Sequence, residues 1–158
     1  MSLKDIRAAL KRNPNDALLY YRAGFLEERD SNLGQALLDY QTAIRLKARV
    51  ADSYFRMGVV WEKMGEFYDL KRLQGRVISG EQRRNAIDSY KQAIKVRRDH
   101  GDALYRLSLV YLIGNDLKDA TDAYKKLLDI EPDSERSNQL LQMIYKRHRE
   151  ISKGGRRR

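Results

Sequence analysis

The chain has 158 residues, a formal net charge of +10 and no cysteine. Its length suits one domain, and 42% apolar residues with 2 prolines are typical of an ordered, helix-rich fold. Without cysteine there are no disulfides and no thiol chemistry. No stretch approaches the roughly 20 apolar residues that span a bilayer, and the start lacks an apolar signal region. We therefore expect a cytoplasmic protein.

The first 50 residues predict a lone helix followed by a helix pair. Residues 2–12 have helical apolar spacing, and the segment around Pro14 ends that helix. Small and aromatic residues then recur at helical spacing on one face of each of two helices. These residues are Tyr20, Ala23 and Gly24 in one helix and Ala36, Tyr40 and Ala43 in the next. The small side chains predict close packing of the two helices, with Tyr40 filling the space beyond.

The second helix pair contains an insertion. Gly58 and Ala86 are 28 residues apart, whereas Gly24 and Ala36 are only 12 apart. We expect the extra residues, 68–83, to lengthen both helices into a projecting hairpin. A partly ordered loop is the alternative, because glycines weaken helices in this segment. The apolar content of the insertion would also suit self-association.

The third helix pair repeats the second at a spacing of 34 residues. Ala86 and Tyr90 recur as Ala120 and Tyr124. A fixed period of this length is typical of stacked helix pairs, in which no single pair can bury its apolar face alone. Residues 135–150 predict a closing helix whose exposed face, including Arg136, is polar.

These patterns resemble the tetratricopeptide repeat family. The matching residues are Tyr54-x2-Met57-Gly58-x2-Trp61 and Leu104-x2-Leu107-Ser108-x2-Tyr111, followed in each unit by the second-helix alanine and tyrosine. Pro14 and Pro132 occupy the family's proline position. The chain departs from the pattern at Glu27, where an aromatic residue is usual, and at Ala48 and Arg98, where proline is usual.

The resemblance implies an all-α, right-handed α-solenoid of three helix pairs, with an N-terminal half-repeat helix and a C-terminal capping helix. We expect a single domain over residues 1–152, followed by a flexible basic tail at 153–158. The predicted units are repeat 1 at 17–50, repeat 2 at 51–100 with the insertion at 68–83, repeat 3 at 101–134 and the capping helix at 135–150.

The first helices of such repeats line a concave groove, which implies a surface for binding a peptide of a partner protein. The corresponding positions are Leu18, Tyr21, Arg22 and Phe25; Asp52, Phe55, Arg56 and Val59; and Asp102, Tyr105, Arg106 and Leu109. Each unit thus places an arginine directly after an aromatic residue. Aromatic rings offer apolar area and guanidinium groups bind carboxylates, so an acidic partner segment would fit. Alternatively, the arginines are solvated or pair with Asp52, Asp102 or Glu28.

Some family members clamp the acidic C-termini of cytosolic chaperones with two lysines, two asparagines and an arginine. Those positions correspond here to Tyr21, Phe25, Arg56, Asp102 and Arg106. Only Arg106 matches, and Asp102 reverses the required charge. We therefore do not expect the chaperone clamp.

A basic C-terminus offers a different function. Its cations are Lys146, Arg147, Arg149, Lys153, Arg156, Arg157 and Arg158. They predict weak, unspecific and salt-dependent binding of nucleic acid, since no aromatic residues lie between them. The alternative is a solubilising helix end that favours the helix dipole.

Nothing in the sequence indicates catalysis. His100 and His148 lie in charged segments, where we expect both to be solvated, and no phosphate-binding loop or metal motif occurs. We predict a non-enzymatic adaptor without metal or cofactor. A self-assembling scaffold is a further alternative.

Overall fold

A computed structural model describes residues 1–68, 76–78 and 80–154. This part of the chain forms eight helices and two short strands. They are α1 (Leu3–Arg12), α2 (Ala17–Arg29), α3 (Leu33–Arg45), α4 (Val50–Gly65), β1 (Glu66–Tyr68), β2 (Arg76–Ile78), α5 (Gly80–Val96), α6 (Gly101–Ile113), α7 (Leu117–Ile130) and α8 (Glu135–Gly154). Each helix packs on its neighbours in sequence, which gives the expected all-α solenoid.

Close packing within each helix pair follows from the small residues. Ala23, Ala36 and Ala43 are fully buried, and the ring of the fully buried Tyr40 lies directly against the backbone of Gly24. Tyr90 occupies the same place against Gly58 in the second pair. The predicted arrangement of small residues and tyrosine is therefore what joins α2 to α3 and α4 to α5.

The insertion differs from the predicted pair of lengthened helices. α4 ends at Gly65, and antiparallel strands β1 and β2 follow, with Glu66 paired to Ile78 and Tyr68 to Arg76. In the other two units the helix ends in a turn at Ser31 or Asn115, each with positive φ. Gly65 takes the equivalent position in unit 2, and there the chain continues into a strand instead of turning. Residues 69–75 and 79 lie outside the described part.

The lone helix α1 is held by a polar contact that the sequence did not suggest. Arg7 donates to both oxygens of Asp39, at 2.9 and 2.6 Å, and to Glu27 at 2.9 Å. Both carboxylates are buried, and the hydrogen bonds to Asp39 and then Glu27 raise the pKa of Arg7 against the opposing effect of burial. Glu27, at a position where an aromatic residue is usual in such repeats, thus helps to hold α1 on the first helix pair.

Candidate functional site

The predicted groove residues lie on α2, α4 and α6, and their exposure is unequal. Leu18 and Phe25 are each 43% exposed, and Arg22 is also exposed. Val59 is only 7% exposed and packs in the core, so it offers no surface to a partner. The other predicted positions are partly buried, apart from the exposed Asp102.

A cavity of about 400 Å³ lies beside Arg22 and Phe25, the exposed groove residues of α2. Its walls come from α2, from α1 and from the N-terminus. The lining residues are Met1, Ile6, Tyr21, Arg22, Phe25 and Leu26. The cavity is therefore mainly apolar, with one guanidinium group at its wall.

Arg56 links the surfaces of the first two units. Its guanidinium carbon lies 4.9 Å from the ring centroid of Phe25 and 5.9 Å from that of Phe55, within range of cation–π attraction. Its Nη1 is 3.7 Å from Oε1 of Glu28. The pairing of Arg56 with Glu28 agrees with the alternative considered for the arginines.

Glu28 is a buried carboxylate with three partners. The Tyr40 hydroxyl donates to its Oε2 at 2.9 Å, and Lys63 Nζ donates to its Oε1 at 2.7 Å. Arg56 completes the set at a longer distance. The side chain of Glu28 is 5% exposed, so its charge depends on these partners.

The second unit repeats this arrangement around Glu62. The Tyr90 hydroxyl donates to Glu62, and Arg106 Nη1 lies 3.5 Å from its Oε2. Glu28 and Glu62 are 34 residues apart and thus in register, but the sequence pattern suggested only Glu28, as an arginine partner, and neither as a buried centre. The third unit has the buried Leu112 at the corresponding position.

In the third unit, two predicted groove residues contact the capping helix. Arg136 Nη1 lies 2.5 Å from Oδ1 of Asp102, and its guanidinium carbon is 5.6 Å from the ring centroid of Tyr105. Arg136 also donates to Glu131 at 2.7 Å. Its hydrogen bonds lower the pKa of both carboxyls. Arg136 is thus a partly buried, ion-paired link between α6 and α8, whereas the sequence predicted it on the exposed polar face of the capping helix.

His100 is buried, which corrects the expectation that it is solvated. It is 2% exposed, and its Nδ1 accepts from the backbone N–H of Ala103 at 3.4 Å, capping α6. Its ring lies 5.0 Å from that of Phe55, and Nε2 is 3.6 Å from Oδ1 of Asp52. Asp52 also pairs with Arg97 at 3.2 Å. The predicted groove residues Asp52 and Phe55 therefore stabilise the junction between α4 and α6.

We expect His100 to make the protein less stable in mild acid. Burial, helped by Arg97, lowers its pKa below the ordinary value, against the opposing effect of Asp52, Asp102 and Asp99. The unfolded chain therefore gains a proton as pH falls through about 6.5, whereas His100 in the folded chain is protonated only at a lower pH. The free energy of unfolding should decrease as pH falls below that value.

Urea unfolding of the wild type and of His100→Asn between pH 7.5 and 5.0 would check this expectation. Asparagine keeps a capping oxygen but does not titrate, so its stability should change less with pH. Parallel pH profiles for the two proteins would contradict it.

The predicted basic tail is partly helical. α8 continues to Gly154, four residues beyond the expected end, so Lys153 belongs to the helix. Arg147 pairs with Glu150 at 3.5 Å and donates to Asn115 at 2.8 Å. Lys146, Arg149 and His148 are exposed. Arg156, Arg157 and Arg158 lie outside the described residues.

Two features are absent from the described residues. No helix there has the length and apolar character needed to cross a membrane. Within the same ranges, no group of three or more His, Asp or Glu side chains is placed to hold a metal ion.

Comparisons with known proteins agree with this architecture. Residues 79–135 match the tetratricopeptide repeat family model, while a search of curated proteins gave no match. Among solved structures, the MamA protein has a TM-score of 0.73 at 21% identity, over 92% of this chain and 71% of that one. A tetratricopeptide repeat protein from Parabacteroides merdae has a TM-score of 0.77 at 17% identity, over 98% of this chain. This chain spans only 55% of that protein's length.

A third similar structure has a ligand. It is the first tetratricopeptide repeat domain of Spaghetti bound to the HSP90 peptide SRMEEVD, with a TM-score of 0.66 at 14% identity, over 82% of this chain and 90% of that one. Residues 79–135 thus match the sequence pattern of the tetratricopeptide repeat family, and the described helices have the fold seen in solved tetratricopeptide repeat structures.

Proposed function

We propose that the protein is a non-enzymatic interaction module that holds a short acidic and apolar segment of a partner protein against α2, α4 and α6. The observation that supports this most directly is the exposed ring of Phe25, with the guanidinium of Arg56 beside it and an apolar cavity next to it. An apolar side chain of the partner would enter the cavity. A neighbouring carboxylate would bind the arginines.

The charges at this surface favour an acidic segment. Arg22 is exposed and forms no ion pair within the described part of the chain. Arg56 and Arg106 lie 3.7 and 3.5 Å from their glutamates, which is longer than the usual distance of a charge-assisted hydrogen bond. Their remaining N–H groups can therefore donate to a ligand without breaking a short ion pair.

The Spaghetti structure supports peptide binding by this fold, because a peptide is bound to it. That peptide contains acidic residues, which supports an acidic ligand here as well. The side chains that would bind a peptide here are different, because Tyr21, Phe25 and Asp102 replace residues of the chaperone clamp. We therefore propose a partner that combines an apolar anchor with acidic residues and does not depend on the clamp.

Replacing Phe25 with serine or Arg22 with glutamate should each weaken binding of such a peptide about tenfold. Phe25→Ser removes the apolar contact, and Arg22→Glu turns attraction into repulsion at an exposed position. Fluorescence anisotropy with labelled peptides of alternating leucine and glutamate would measure the change. The same peptides with every glutamate replaced by glutamine provide the uncharged comparison.

Leu38→Ser is the matched control, because Leu38 is 56% exposed but lies on α3. It should leave the affinity unchanged, and all three variants should keep the helicity of the wild type. Equal affinity of the Arg22, Phe25 and Leu38 variants for the acidic peptide would refute the proposed surface.

A further inference from the structure

A second groove lies between α5 and α7, with α6 as its floor. Its volume is about 830 Å³, and none of the predicted groove residues lines it. Leu104, Leu107 and Tyr111 on α6 form the floor but are themselves buried, so the apolar surface that a partner can reach lies at the sides, on Ile94 and Ile130. Ile130 is 38% exposed, so apolar surface remains open to solvent.

The two walls of this groove carry opposite charges. The α5 side has Lys91, Lys95 and Arg98 against a single Asp99, and the α7 side has Asp119, Asp122 and Asp129 against a single Lys126. All eight side chains belong to exposed residues. A basic wall thus faces an acidic wall across an apolar floor.

The corresponding junction between α3 and α5 lacks this separation of charge. Its equivalent positions are Gln41, Arg45 and Ala48 on one side and Asn85, Asp88 and Lys95 on the other. The opposite walls are therefore a property of the junction between the second and third units and do not follow from the repeat itself.

We propose that this groove binds an amphipathic α-helix of a partner protein, with acidic side chains toward α5 and basic side chains toward α7. The walls and floor are helices, which offer no free backbone N–H or C=O groups to an extended strand. A bound helix satisfies its own backbone and presents an apolar stripe to the floor. From Asp119 to Ile130 the α7 wall is about 16 Å long, the length of three helical turns.

Charge complementarity specifies which flank of the partner helix lies at each wall, but it does not by itself fix the N-to-C direction of that helix. A helix whose apolar stripe faces the floor can lie parallel or antiparallel to α5, and turning it end to end exchanges its flanks. For a given peptide with one acidic and one basic flank, the charges then select the direction that places glutamates beside Lys95 and Arg98 and lysines beside Asp122 and Asp129. This property allows a test with a synthetic peptide.

The probe is a labelled helical peptide with a leucine stripe, glutamates along one flank and lysines along the other. Fluorescence anisotropy at low salt would measure its affinity for the wild type and for two variants with exchanged charges, Lys95→Glu with Arg98→Glu and Asp122→Lys with Asp129→Lys. Each should weaken binding about tenfold, as expected for the loss of several exposed ion pairs. The protein with all four changes should bind the peptide as tightly as the wild type, because the peptide turns end to end.

The matched control is Arg45→Glu, which reverses an exposed charge at the position of α3 equivalent to Lys95. It should leave the affinity unchanged. Circular dichroism would verify that every variant keeps its helicity. No binding to the wild type, equal binding by the two pairwise variants and the control, or failure of the fourfold variant to restore affinity would each overturn the proposal.

Discussion

Replacing Gly58 with alanine is expected to lower the free energy of unfolding by about 2 kcal/mol, although alanine is the better helix former. A Cβ at this position would lie within 2.8 Å of three atoms of the Tyr90 ring. The ring is fully buried and its hydroxyl donates to the buried Glu62, so it cannot move aside without losing that contact. Urea unfolding followed by circular dichroism would measure the loss.

Two other glycines provide the comparison. At Gly24 the nearest ring atoms of Tyr40 would be 2.9 Å from a Cβ, so Gly24→Ala should cost less than Gly58→Ala. At Gly34, also in a helix, nothing lies within 4 Å of a Cβ, and alanine should be neutral or stabilise by up to about 1 kcal/mol. Equal effects at Gly58 and Gly34 would contradict the role assigned to close helix approach.

The close approach of the two helices in each pair could be predicted, because it depends on small residues and tyrosines whose main role is packing. Gly24, Gly58 and the second-helix tyrosines recur at fixed spacing, and only small residues allow the backbones to come together. The order of the helices and the all-α fold follow from this pattern. The period of 34 residues predicts the stacking as well.

Side-chain partners between distant helices could not be predicted in the same way. Arg7, Glu27 and Asp39 meet only because α1 packs on the first pair, and periodicity within a helix says nothing about such contacts. Charged segments are usually exposed, which predicts a solvated His100, whereas the junction of α4 and α6 buries it. The strands of the insertion are short segments whose pairing depends on tertiary context.

Contacts between distant helices were equally unpredictable for the groove surface on α2, α4 and α6. The sequence placed arginines and aromatic residues on one helical face and offered Glu28 as a possible partner, but only the structure shows Glu28 and Glu62 buried beneath Arg56 and Arg106. These glutamates change how the surface can be tested. A glutamate in place of Arg56 would put a second negative charge next to Glu28, so loss of binding could reflect loss of the fold.

The cations around Glu28 should therefore matter for stability. Replacing Arg56 and Lys63 together with methionine is expected to lower the free energy of unfolding by about 3 kcal/mol. The change leaves a buried carboxylate with the Tyr40 hydroxyl as its remaining partner among those described above. Adding Glu28→Gln should recover most of the loss, because the amide oxygen still accepts from Tyr40 but has no charge.

Urea unfolding of the double and triple variants would separate charge from packing. Arg29→Met serves as the control, since Arg29 pairs with Asp30 at the surface, where both side chains are 45% exposed or more. An exposed pair of this kind contributes at most about 1 kcal/mol, so its loss should have little effect. If Glu28→Gln fails to restore the double variant, the methylene contacts of Arg56 and Lys63 would stabilise the junction instead of their charges. Recovery would show that the charge of Glu28 joins the first helix pair to α4, so that the surface position of Arg56 and the stacking of these two units depend on the same carboxylate.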